Sequence, residues 1–182
     1  KKNSVALAQS DTQLELNDHL MIIARKSDIH LIEAFLGEKV NFDWNKSGEY
    51  LAYIRFDETN VPEFSMDVYG ETLYPTQHVF KYPKAGEKNA DVSLHVYDLN
   101  SQKTHDIKLD AYEYLPRLKW TNDKDIFSVQ ATNRHQNELK LYFVDTKTNK
   151  AKLIHTEKDE AYVDVTDDLT FLENNSFIWT RS

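Results

Sequence analysis

Residues 41–56, NFDWNKSGEYLAYIRF, constrain the fold more than any other stretch. They read as a short apolar strand ending in Trp44, a polar turn on Lys46, Ser47 and Gly48, and a second strand. Residues 117–132, RLKWTNDKDIFSVQAT, repeat the phrase with Trp120 in the tryptophan position and Asn122, Asp123 and Lys124 in the turn. Weaker copies at 14–23 (LELNDHLMII) and 169–180 (LTFLENNSFIWT) put apolar residues where the tryptophan stood. Strand-turn-strand units recurring at intervals of tens of residues are the mark of a blade-type β architecture.

Each repeat extends into a longer unit. After the second strand of 41–56, VSLHVYDL at 92–99 and THDIKL at 104–109 supply two more; after 117–132, LKLYFVD at 139–145 and the segment 151–156 do the same. The middle strands are apolar at successive positions, as in Leu51, Ala52, Tyr53 and Ile54 or Leu141, Tyr142, Phe143 and Val144. A sheet with one wet face would alternate, so both faces must be covered. The closing strands instead mix Asp106, Lys108, Lys150 and Lys152 with single apolar residues, which suits a wet outer edge. The expected fold is all-β: β-propeller blades of four antiparallel strands, in segments 13–34, 41–109, 116–156 and 163–182, about three to four blades of a partial propeller. Only four glycines are present, so Asn, Asp, Ser and Lys are expected to carry the turns.

Trp44 and Trp120 stand 76 positions apart, well beyond the roughly 40 to 50 residues of a typical blade repeat. The excess is residues 57–90, DETNVPEFSMDVYGETLYPTQHVFKYPKAGEKNA. It carries Val61, Phe64, Tyr69, Leu73, Tyr74, Val79, Phe80 and Tyr82, so it has something to bury. Either it folds onto its own blade or it forms an arm that reaches another domain or subunit. So dense an apolar set favours the arm.

Charge and composition exclude several functions. A net charge of -8 argues against a nucleic-acid partner, which needs clustered Lys and Arg. No window approaches the roughly 18 apolar residues of a membrane helix, and the opening KKNSVALAQS is too short and polar for a signal peptide, so the chain is expected to begin inside a longer precursor. With no cysteine there is no thiolate chemistry and no sulfur-ligated metal. Seven histidines are scattered without ligand spacing, and neither a metal nor a cofactor is expected.

The run FDETNVPEFSMDVYG, then LYP, then FKYPKAGEKNADVSLHVYDL resembles the β-propeller of the dipeptidyl peptidase IV group of serine peptidases in its bacterial form. YLPRLKWTND, NRHQNELKLYFVD and DDLTFLENNSFIWT extend the likeness over most of residues 28–182. The resemblance implies an eight-bladed propeller beside a C-terminal α/β-hydrolase domain, in a periplasmic or secreted exopeptidase that removes X-Pro or X-Ala dipeptides from peptide N-termini. It also implies that the inserted arm packs on a second subunit. Phe64, Tyr69, Leu73, Tyr74, Val79 and Phe80 are the residues expected in that contact.

This chain lacks the catalytic apparatus such a family requires. None of Gly37, Gly48, Gly70 or Gly86 stands in the Gly-x-Ser-x-Gly frame of a nucleophile elbow. The chain is therefore expected to be a fragment, inactive alone, that gates substrate access. The family's propeller also grips the substrate amine with a glutamate pair, expected about ten residues before Trp44. Here DIHLIEAFLGEKVNFDW offers Glu33 alone, followed by Ala34. Either a longer acidic connection is missing there or the propeller has diverged; Glu33 also reads as a solvated strand-end carboxylate. The rival function is a stand-alone propeller that binds protein or peptide partners.

Other constellations read as structure. Asp57 with Glu58, Asp159 with Glu160 and Asp167 with Asp168 are sequence neighbours, and strand neighbours point to opposite faces. The tripeptides beginning at Asn45 and Asn174 fit both a glycosylation pattern and ordinary turn chemistry. Residues 162–165 fall where family propellers approach substrate, without the aromatic-arginine pair some members use. Trp44, Trp120 and Trp179 are expected as core anchors.

Overall fold

The computed structural model describes residues 41–174 and 176–180. Among them every regular element is a strand. β1 (Phe42–Trp44), β2 (Tyr50–Asp57), β5 (Asp91–Asp98) and β6 (Lys103–Ile107) form one antiparallel sheet in the order β1-β2-β5-β6. The hairpin β3 (Glu63–Val68) and β4 (Thr76–Lys81) is inserted between β2 and β5 and pairs only with itself. β7 (Tyr114–Trp120), β8 (Ile126–Thr132), β9 (Glu138–Asp145) and β10 (Lys150–Lys158) form the second four-stranded sheet. A short hairpin, β11 (Thr170–Phe171) with β12 (Phe177–Ile178), follows. These are the four-stranded antiparallel blades that the repeat predicts. The segment expected at 13–34 lies outside the described residues.

Register explains how the sheets stack. Ala52 and Ile54 of β2 stand opposite Val96 and Leu94 of β5, so all four share one face. Trp120, Leu118, Phe127, Val129, Tyr142 and Val144 share one face of the second sheet by the same logic. The two faces meet in a single buried cluster in which Ala52, Val96, Phe127, Val129 and Val144 are fully enclosed. Burying a side chain such as Phe127 contributes about 1.5–3 kcal/mol. The indole Nε1 of Trp120 donates to the Asp43 carbonyl at 2.8 Å, tying β7 of one sheet to β1 of the other. With β1 and β7 adjoining, β6 and β10 lie at the far edges, where Asp106, Lys108, Lys150 and Lys152 are exposed.

Only one of the three tryptophans is fully a core residue. Trp120 is buried, whereas Trp44 and Trp179 are half-buried. Trp44 pairs with Leu51, which puts it on the face opposite the shared core.

Turns follow side-chain chemistry. Asn45 accepts from the Glu49 and Tyr50 amides through Oδ1 and donates through Nδ2 to Ser47 and to the Lys124 carbonyl of the next sheet's turn. Gly48 supplies the left-handed residue there, with φ of 72°. Elsewhere among the described residues the left-handed positions are Gly86, Gln102, Gln136 and Asn149. Two glutamines thus do what the scarcity of glycine leaves to other residues, a role composition does not predict for Gln. Aspartates close the turns: Asp98 accepts from the amides of Asn100 and Ser101, and Asp145 from those of Lys147 and Thr148.

Candidate functional site

The hairpin β3–β4 carries the most distinctive surface. Strand alternation and the pairing of Phe64 with Phe80 and Met66 with His78 give it two unlike faces. One bears Phe64, Met66, Val68, His78 and Phe80, joined by Tyr82 just beyond the strand; the rings of Phe64, Phe80 and Tyr82 pack at 5.6–6.0 Å between centroids. The other bears Glu63, Ser65, Asp67, Gln77 and Lys81, with Ser65, Gln77 and Asp67 joined by side-chain hydrogen bonds and Lys81 paired with Glu63. The tip is apolar and open: Tyr69, Leu73 and Tyr74 are 78%, 89% and 77% exposed. On the aromatic face Met66, Val68 and Tyr82 are exposed while Phe64 and Phe80 are half-buried, and a two-stranded ribbon of this kind is only marginally stable on its own.

The root of the hairpin is fastened to the second sheet. Asn89 Nδ2 donates to Glu113 Oε1 at 2.7 Å and to the Tyr114 hydroxyl at 2.8 Å. Arg134 donates to the same Glu113 oxygen at 2.9 Å and to the Glu87 carbonyl at 2.5 Å. Glu113 is the hub through which the insertion is aligned with β7 and the β8–β9 turn.

A second candidate lies on the opposite side of the second sheet. A cavity of about 110 Å³ is lined by Arg117, Lys119, Ser128, Gln130, Thr166 and Asp167, with Leu118 and Leu169. Pro116 explains why Arg117 is there. Proline has no N–H for the ladder, and the pairing of β7 with β8 shifts register between Tyr114 and Arg117, re-aiming the following side chain. Arg117 pairs with Asp167, and Lys119 Nζ donates to the Leu169 carbonyl at 2.5 Å. Gln130 is 2% exposed, and its Oε1 has no hydrogen-bond partner among the described residues.

Comparison with known proteins places this architecture. Residues 29–182 match the family model described as the dipeptidyl peptidase IV (DPP IV) N-terminal region. The chain belongs to the dipeptidyl peptidase IV family. Relatives include dipeptidyl-aminopeptidase B of Aspergillus niger, 37% identical over 141 residues, which are 69% of this chain and 15% of that protein. The "Probable dipeptidyl-aminopeptidase B" of Fusarium vanettenii is 32% identical over 160 residues, 77% of this chain and 17% of that protein. The crystal structure of Porphyromonas gingivalis dipeptidyl peptidase 4 superposes with a TM-score of 0.70 at 36% identity, over 81% of this chain and 22% of that one. The chain thus spans less than a fifth of the curated relatives it matches.

Within this dipeptidyl peptidase IV segment the predicted site residues separate. Glu33 lies outside the described residues. Phe64 and Phe80 sit together on the aromatic face, and Tyr69, Leu73 and Tyr74 form the tip, but Val79 is on the polar face. Met66, Val68 and Tyr82 join the exposed apolar set, which strand alternation from Phe64 would have revealed once the hairpin register was known. The acidic neighbours are turn partners. Thr59 lowers the Asp57 pKa by hydrogen bonding, the Ala161 and Tyr162 amides lower that of Asp159, and Thr166 and Thr180 lower that of Asp168.

One network escaped sequence reading. Ser93 Oγ lies 2.8 Å from His95 Nε2, and His95 Nδ1 lies 2.9 Å from Asp106 Oδ1. The order of groups is that of a hydrolytic triad, and Ser-x-His on one strand is its only sequence signal. A nucleophile also needs N–H donors aimed at a developing oxyanion. Here Ser93 sits mid-strand in the ladder opposite Arg55, and the Tyr53 ring stacks on His95 at 5.1 Å. The network satisfies both ring nitrogens of a buried imidazole.

Proposed function

We propose that this chain is the non-catalytic propeller portion of a serine exopeptidase that removes X-Pro or X-Ala dipeptides from peptide N-termini. Its blades restrict access to a reactive site carried by a C-terminal α/β-hydrolase domain, and its inserted arm binds the equivalent surface region of a second subunit. The observation that carries the reading is the hairpin β3–β4, whose tip and whose Met66, Val68 and Tyr82 are exposed while its root is fastened through Glu113. Membership of the dipeptidyl peptidase IV family supports the same reading, as does the absence of a Gly-x-Ser-x-Gly frame from the sequence. Peptide processing outside the cytoplasm, in a bacterial periplasm or after secretion, belongs to this proposal.

Two measurements test it. The full-length gene product is expected to release dipeptides from a Gly-Pro chromogenic substrate and to react with a fluorophosphonate probe, while the 182-residue chain does neither. An unreactive full-length product would leave a stand-alone binding propeller as the better reading. Phe64→Ala and Tyr74→Ala are expected to weaken the dimer at least tenfold by sedimentation while leaving the melting temperature unchanged, because aromatic anchors dominate interface energetics. An unaltered dimerisation constant in both would remove the arm from the contact.

A further inference from the structure

The two edges of the inserted hairpin are not alike. The Tyr82 amide donates to the Pro62 carbonyl at 2.9 Å. Bonded and non-bonded pairs alternate along an antiparallel ladder, so Phe64–Phe80, Met66–His78 and Val68–Thr76 are the bonded pairs, and the main-chain groups of the residues between them point outward. On β3 those residues are Glu63, Ser65 and Asp67; on β4 they are Gln77, Val79 and Lys81. Among the described residues neither edge meets a further strand. Open edges are ordinarily blunted by shortness, bulges or charge. The outer strands of the two blades obey this: β6 is five residues long, and β10 shifts register between Leu153 and His155. β3 obeys it too, through Glu63 and Asp67. β4 runs TQHVFK with unbroken register, no carboxylate and no proline, and Val79, its middle outward residue, is 56% exposed as the lone apolar side chain on the hairpin's polar face.

We propose that β4 is a seam: it pairs antiparallel with β4 of a second copy of the chain, about a two-fold axis through Val79. This rests on the reading of the arm as a subunit contact and specifies which atoms make that contact. With the axis at Val79, that residue exchanges main-chain bonds with the partner subunit's Val79, and Gln77 does so with the partner subunit's Lys81. The faces then match. His78 falls opposite the partner subunit's Phe80, so both aromatic faces join on one side, while on the other the two Val79 side chains meet and the Gln77 carboxamide oxygen faces a lysine ammonium. A slip of one residue would set Gln77 against Phe80 and mix apolar with polar. The β3 edge offers no equivalent, because the same symmetry about Ser65 sets Glu63 against Asp67, and like charges directly opposite repel. Joining two hairpins along β4 makes a four-stranded sheet with one apolar face, which is the size at which such a sheet holds together where a lone hairpin does not.

The test uses the full-length gene product. Bonded antiparallel pairs hold their Cα atoms about 5.5 Å apart, within the span a disulfide bridges, and this chain contributes no cysteine of its own. Val79→Cys is therefore expected to give a covalent dimer on mild oxidation, seen on a non-reducing gel, whereas Ser65→Cys, on the same face at the other edge, is expected to give none. Val79→Pro removes an outward N–H without touching the hairpin's own ladder, and it is expected to weaken dimerisation about tenfold or more by sedimentation. If that variant does not fold, the crosslinking pair decides alone. Absence of a Val79→Cys crosslink, equal crosslinking by Ser65→Cys, or undiminished dimerisation in folded Val79→Pro would each overturn the seam. Should Phe64→Ala and Tyr74→Ala still weaken the dimer in that event, the arm remains the contact and only the strand pairing falls; a full-length product that sediments as a monomer overturns both.

Discussion

Replacing Trp120 with phenylalanine tests whether the two sheets are one cooperative body. The indole Nε1 donates to the Asp43 carbonyl at 2.8 Å, and its ring packs on Phe127 with centroids 5.2 Å apart. Phenylalanine keeps the aromatic contact but removes the donor, and the lost hydrogen bond costs about 0.5–1.5 kcal/mol. The smaller ring also leaves a gap worth about 1 kcal/mol, close to one buried methylene. Together Trp120→Phe is expected to cost about 1.5–2.5 kcal/mol. At a urea dependence of about 2 kcal/mol per molar, the midpoint should fall by about 1 M. Circular dichroism gives the midpoint, and hydrogen exchange should show β5 and β9 losing protection together, because Leu94 and Val96 share their core with Tyr142 and Val144. A loss under about 0.5 kcal/mol, within the range of an ordinary surface substitution, would refute the bridging role. So would a loss confined to the second sheet.

Glu113→Ala should free the arm's root without unfolding the blades, raising hydrogen exchange across residues 57–90 while strands β8 and β9 keep their protection; unchanged exchange would show that the hub is dispensable. Burial and, next, the hydrogen bond to Asp110 push the Tyr142 phenol up to about 12. Its raised pKa contributes stability fully present below pH ~10, the unfolded value, and lost as pH climbs toward 12, so an ultraviolet titration should show a late-ionising phase that Tyr142→Phe reduces, with Tyr112, which burial also pushes up, accounting for what remains. The Ser101 hydroxyl holds the Asp98 carboxyl below its usual range, so its contribution is present above pH ~4 and declines as pH falls below that; Asp98→Asn should flatten the acid limb of the stability profile, and an unchanged limb would remove the turn from it.

What the chain announces along its length is the blade. Trp44 and Trp120 in matched strand-turn-strand phrases, apolar runs at 51–54 and 141–144, and charged closing strands each follow from a period of two and from what must be covered, so fold class was legible without coordinates. The family likeness was legible too, because YPKAG and its surroundings are contiguous words. The turn chemistry was partly legible: Asn45 and Asp98 behave as their side chains dictate, while Gln102 and Gln136 take left-handed positions that composition assigns to others.

Tertiary structure alone decided which residues became a surface. Residues 57–90 show an apolar set in sequence, but only the register of β3 against β4 puts Phe64 with Phe80 and sends Val79 to the other side. Glu113, Asn89 and Arg134 are unremarkable surface residues until the fold gathers them at one root. Gln130 is one of three polar letters in β8, with Ser128 and Thr132, until the fold sets it beside Arg117 and Asp167. The physical reason is that periodicity encodes local backbone geometry, whereas partners tens of residues apart are chosen by packing, which no single stretch contains.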